Sequence, residues 1–187
     1  DKSNSYKLTY QASNQSLIFE ISNGGLANSV SYDNADLMVG EFVHIGAQLY
    51  NDTLQIFLNG ELKVSEYVAG ESIDVTDSDI VIGSSFKGYL DEIRIWNKGK
   101  NAQELWQDHS RYVASGEAEL AVYLRVAANA GNYCYDVSKT GDNFNNNHAM
   151  MTSDNLWRVG ENDSPTESQL SAAGYTDQDG NYTVVVP

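Results

Sequence analysis

Apolar and polar residues alternate through the first third of the chain, the period of a strand with one buried face. Tyr6, Leu8 and Tyr10 alternate with Lys7 and Thr9. Leu17, Phe19 and Ile21 alternate with Ile18 and Glu20, up to a stop at Asn23-Gly24-Gly25. Val30 and Tyr32 belong to a third short strand. Val43, Ile45, Ala47 and Leu49 form the core face of a fourth, with Phe42, His44, Gly46 and Gln48 opposite. A turn at Asn51-Asp52 leads to Leu54, Ile56 and Leu58. Asn59-Gly60 then predicts a two-residue hairpin returning along Glu61 to Tyr67, because both residues tolerate positive φ. Ile80 to Gly83 reads as a short buried strand and Gly88 to Trp96 as a longer one.

The period then changes. Asn101 followed by Glu104 has the form of a capping box. Ala102, Leu105, Trp106, His109, Tyr112 and Val113 fall at helical spacing and predict one amphipathic helix ending near Ser115-Gly116, anchored through Trp96 and Trp106. Leu120, Val122, Leu124 and Val126 alternate again. Beyond Asn129 the chain turns polar, Ser153 to Ala173 has linker composition, and Thr176 to Pro187 reads as a turn and a strand. The expected fold class is all-β: a two-sheet antiparallel jelly-roll sandwich with one short helix.

Composition narrows the partners. The 187 residues are 41% hydrophobic, enough for a sizeable core, and carry a formal net charge of −15. Nucleic acid is excluded as a partner, since its affinity rests on Lys and Arg at phosphates. No apolar run is long enough for membrane insertion. The single cysteine, Cys134, allows no intramolecular disulfide and no thiolate zinc site, and reads as a small buried residue.

The stretch GEFVHIGAQLYNDTLQIFLNGEL from Gly40, followed by IVIGSSFKGYLDEIRIWNKGKNAQEL up to Leu105, resembles the laminin-G-like (concanavalin A-like lectin/glucanase) jelly-roll domains of bacterial multidomain surface proteins. Phe42 stands where that family has Trp, and Gly46 where it has Ala. The resemblance implies a laminin-G-like sandwich over residues 1–115 whose N-terminal strands are missing. Residues 116–152 are expected to close this domain or open a following repeat. Residues 153–187 are expected to form a linker and the beginning of another β domain, since TDQDGNYTVVVP resembles the opening hairpin of a carboxypeptidase-regulatory-like domain. The chain is thus expected to be a piece of a larger protein.

Two candidate sites follow. Asp91 shares a strand face with Ile93 and Ile95, and a carboxylate there needs compensation. It is either a Ca²⁺ ligand, as the resemblance implies, or an acceptor of backbone N–H groups; Glu92, on the other face, is expected to be solvated or to pair with Arg94 or a lysine. Asp142, Asn143, Asn145 and Asn147, and Asp177 and Asp179 beside Gly180, read as polar turns or partial calcium loops. The second candidate is the face carrying Phe42, His44, Gln48, Tyr50, Gln55 and Phe57. Rings stack on pyranose faces and amides read hydroxyls, so this face suits a glycan; the alternative is that neighbouring segments cover it.

Catalysis is not expected. The Glu-x-Asp-x-x-Glu signature of sandwich glucanases is absent, and so are a Gly-x-Ser-x-Gly elbow, a His-Glu-x-x-His helix and a phosphate loop. The expected function is a non-catalytic binding or adhesion module, extracellular or on the cell surface. Its expected partners are a glycan or a cell-surface or matrix protein, together with neighbouring domains of the same large protein. The alternatives are a structural spacer in an adhesin or filament and an accessory domain of a glycoside hydrolase.

Overall fold

Three two-residue turns fold the N-terminal strands onto one another, each with two residues at positive φ: Gly24-Gly25, Asn51-Asp52 and Asn59-Gly60. The computed structural model describes residues 1–35, 37, 41–70, 72–84, 86–111, 113–126, 133–139, 147–151, 173–176 and 182–185. Asp142, Asn143, Asn145, Asp177, Asp179, Gly180 and Tyr112 lie outside the described residues, as does Trp157, which its linker-like surroundings mark as a domain–domain contact. The chain divides into two compact units, one of Asp1–Phe86 with Gly99–His109, the other of Lys87–Lys98 with Ser110–Pro187.

The first unit is an antiparallel sandwich. One sheet is β1 (Tyr6–Gln11), β2 (Ser16–Asn23) and β3 (Leu26–Tyr32); the other is β4 (Ile45–Tyr50), β5 (Thr53–Leu58) and β6 (Glu61–Tyr67). Leu17, Phe19 and Ile21 of β2 and Val30 of β3 pack with Leu54 and Ile56 of β5, Ala35 and Val68. Ile45, Ala47 and Leu49 close this core from β4, as the alternation requires. The β2–β3 turn is tied down by Asp74, whose carboxylate accepts from Gly24 N–H and Gly25 N–H at 2.9 Å each and from the Ser22 hydroxyl at 2.6 Å.

The helix α1 (Ala102–Asp108) has the expected capping box: Asn101 Oδ1 accepts from Glu104 N–H, and Glu104 accepts from Asn101 N–H. It is shorter than its spacing predicts. Val113, read as part of its apolar face, instead joins Leu120 and Tyr123 in a core of the second unit. Trp106, read as its anchor, is 58% exposed.

The second unit contains β7 (Ile93–Trp96) paired with β8 (Leu120–Leu124), β9 (Tyr133–Cys134) with β10 (Ala149–Met150), and β11 (Ala173–Thr176) with β12 (Tyr182–Val185). Gly88 to Trp96 is not one strand. Glu92 sits at φ +51, which breaks the extended backbone before Ile93. Ile80 to Gly83 is not a buried strand either: it makes one isolated bridge, from Ile80 to Lys2, and Ile80, Val81 and Ile82 are all exposed. A bulge separates Ile95↔Val122 from Trp96↔Leu120, so Leu120 and Val122 serve different cores despite their period-two spacing. Cys134 is buried beside Val122 and Leu124, as expected of a small apolar residue, and burial pushes its thiol up.

Candidate functional site

Of the six residues expected on one strand face, Phe42 and His44 precede β4 rather than belonging to it, and most of the six are occupied by the chain itself. Gln48 Nε2 donates to Lys100 O at 2.8 Å and to Gln55 Oε1 at 2.6 Å, and Gln48 Oε1 accepts from Lys100 N–H at 2.8 Å. Both amides therefore read protein groups. Tyr50 lies under Gly99, where an added Cβ would stand 2.7 Å from its ring. Phe57, expected among the ligand-facing rings, is 1% exposed and is a packing residue. His44 donates its backbone N–H to Asn59 Oδ1 and turns its ring edge-on to His109, with centroids 6.0 Å apart. Phe42 alone of the six stays 53% exposed. The covering segment is anchored by a buried ion pair between Lys100 and Asp108.

What this layer leaves open is an aromatic platform on its outer side. The Trp106 indole lies against the His109 ring, with centroids 4.8 Å apart and planes at 39°. His109 is in turn held by a hydrogen bond from Nδ1 to the Trp106 carbonyl. Gly60, at φ +76, lets the hairpin turn approach: an added Cβ would lie 2.9 Å from His109 Nδ1 and 3.1 Å from Trp106 Cα. Gln103, one turn before Trp106 on the same helical face, is exposed. Sequence reasoning missed this group because helical spacing marks Trp106 as a core position.

In the second unit Asp91 Oδ1 accepts from Glu92 N–H at 2.8 Å. Surrounding atoms desolvate the carboxylate, although the residue as a whole is exposed to water. That desolvation, reinforced by the Glu92 charge, pushes its pKa up to about 6. Glu92 pairs with Arg94 at 2.6 Å, as expected, and also accepts from the Tyr123 hydroxyl. Burial, then the adjacent Glu92 charge, pushes the Tyr123 phenol up, so it remains a donor. The Arg94 and Arg125 guanidinium groups lie 5.3 and 5.2 Å from the Tyr123 ring centroid. Arg94 also donates to the Arg111 carbonyl at 3.0 Å. Among the described residues no three His, Cys, Asp or Glu side chains converge to hold a metal ion.

Residues 1–105 match the laminin-G family of the concanavalin A-like lectin/glucanases superfamily. That is more than half of the chain, and the chain belongs to this superfamily. No curated protein matches it. A solved structure, described as a "putative carbohydrate binding protein" from Bacteroides ovatus ATCC 8483, is similar at a TM-score of 0.56 and 14% identity. The similarity covers 83% of this chain and 49% of that one, so the chain spans about half of that protein's length. An S-layer domain-containing protein from Clostridium thermocellum ATCC 27405 (residues 221-444) aligns at a TM-score of 0.30 and 19% identity, over 56% of this chain and 57% of that one. Among the described residues no helix is long and apolar enough to cross a membrane.

Proposed function

We propose that the chain is a non-catalytic carbohydrate-binding module of a cell-surface or secreted multidomain protein, and that Trp106 forms its sugar-stacking platform. The observation that carries this reading is the large, exposed indole held in place by His109 and the Asn59-Gly60 turn. An indole left in water while its neighbours fix its orientation is a preorganised apolar surface, which a pyranose ring covers at little entropic cost. Gln103 supplies an amide for hydroxyls beside it. The description of the Bacteroides ovatus protein points the same way.

Two buried or half-buried carboxylates are committed to structural partners. Glu92 is tied to Arg94 and Tyr123, and Asp108 to Lys100. A general acid and its partner must instead face the scissile bond across an open cleft.

The test is a glycan array probed with the 187-residue chain and with Trp106→Ala. The variant should lose at least about thirtyfold in affinity, the effect of removing a central aromatic anchor. Wild-type protein that captures no glycan would favour a structural spacer.

A further inference from the structure

We propose that two copies of this chain pair edge to edge through Ile80-Val81-Ile82, antiparallel, with the two-fold axis at Val81. The pairing assumes nothing about the glycan platform. Three consecutive β-branched residues are strong strand formers, yet Ile80, Val81 and Ile82 stand 37%, 49% and 39% exposed. One edge of this stretch is already used. Val81 N–H donates to Asp1 O at 2.8 Å, the Asp1 amine donates to Val81 O at 2.5 Å, and Lys2 and Ile80 form an antiparallel bridge.

Backbone groups of successive residues in an extended segment point to opposite edges. Val81 spends its N–H and C=O on Asp1, so those of Ile80 and Ile82 point to the other edge. There neither residue has a backbone hydrogen-bond partner among the described residues. The stretch is an open, apolar strand edge, a ready template for another strand.

A second copy fits this edge by register. With Val81 opposite Val81, Ile80 of each copy falls opposite Ile82 of the other, and these are the residues with free edge groups. Each such pair exchanges both its N–H···O bonds, while the two Val81 side chains meet at the closer, non-hydrogen-bonded position. Asp79 falls opposite Gly83, so no carboxylate meets a carboxylate. Parallel pairing in register would set Asp79 beside Asp79. Moving the axis to Ile80 puts Ser78 opposite Ile82, and moving it to Ile82 runs the pairing into Gly83, whose φ of +75 ends the extended backbone. A two-fold contact of this kind closes on itself and makes a dimer, not a filament. The contact is small, so the dimer is weak, with a dissociation constant on the order of 100 µM. The net charge of −15 on each copy opposes association, and salt screens that repulsion.

The experiment sediments the 187-residue chain at about 10 to 500 µM in about 0.1 M and about 0.5 M NaCl. A monomer–dimer equilibrium should appear, several-fold tighter at the higher salt. Val81→Lys sets two charges against each other at the axis, and Ile82→Pro removes an edge donor; each should weaken the dimer at least about tenfold. Leu26→Ser, which removes a 72% exposed leucine elsewhere, should leave it unchanged. Cross-linking reads the register. Val81→Cys should oxidise to a disulfide-linked dimer, since paired Cα atoms at the axis lie within disulfide reach. Asp79→Cys, opposite Gly83, should not, and Cys134 is buried in both. If Val81→Lys and Ile82→Pro fail to fold, the two cysteine variants decide. The proposal is overturned if wild type stays monomeric at both salt concentrations, if it assembles beyond a dimer, if Leu26→Ser weakens association as much as Val81→Lys, or if Asp79→Cys cross-links as fast as Val81→Cys.

Discussion

Gln48 mimics a peptide group: its amide both donates to and accepts from the backbone of Lys100, each bond 2.8 Å long. One side chain on β4 thereby completes a strand-like pairing with a segment about fifty residues away. Replacing it leaves the Lys100 N–H and C=O without their partners in a partly buried layer. Gln48→Ala should lower stability by about 2 kcal/mol, read as a shift of the urea midpoint at unchanged slope.

The Lys100–Asp108 pair lies in the same layer and is almost wholly out of water. Removing one partner strands a buried charge, while removing both restores neutrality. Lys100→Met should cost about 3–5 kcal/mol, and Lys100→Met with Asp108→Leu distinctly less. A double-mutant cycle showing simple additivity would contradict the pairing.

Two glycines should respond in opposite ways. At Gly46 an added Cβ meets Phe57 Cβ at 3.5 Å and the His44 ring at 3.6 Å, ordinary contact distances, in a strand. Gly46→Ala should therefore raise stability by about 0.5 kcal/mol through the unfolded chain. At Gly60 positive φ and the 2.9 Å approach to His109 combine. Gly60→Ala should destabilise by more than about 1 kcal/mol and also weaken glycan binding at Trp106, which thermal melts and the array would show together.

Two carboxylates pull the pH dependence in opposite directions. Asp91, raised to about 6, binds its proton more tightly in the folded chain than in the unfolded one, where carboxyls titrate near 3.9. Its destabilising effect is present above pH 6 and disappears as pH falls towards about 4. Asp91→Asn should raise the melting temperature at pH 7 and not at pH 4. Asp74 is held below its ordinary value by the Ser22 hydroxyl and then by the Gly25 and Gly24 N–H groups. Its stabilisation is present above the unfolded carboxylate range and lost as pH falls through its lowered folded value. Asp74→Asn should therefore remove part of the acid-induced loss of stability.

The sandwich of the first unit was legible because its signals are local. Alternation put Leu17, Phe19 and Ile21 inside, Asn59-Gly60 made the turn, and Asn101 with Glu104 capped the helix. Each depends on a backbone period or on a bond spanning a few residues. The expected strand from Gly88 failed at one residue, Glu92, whose left-handed backbone carries no signature in its side chain. The bulge at Ala121 was equally silent, yet it sends Leu120 and Val122 to separate cores.

The candidate sites depended on burial, which a sequence does not state. The pattern correctly grouped Gln48, Gln55, Phe57 and His44 on one face but could not show that residues 99–109 would cover it. Helical spacing marked Trp106 as core, and the fold left it in water. The sequence by itself determined which residues share a strand face, where the hairpins turn and how the helix begins, since these are matters of local geometry. Tertiary structure alone decided which polar faces are spent on the chain's own backbone and which remain for a ligand, because that depends on long-range contacts made only when the chain is folded.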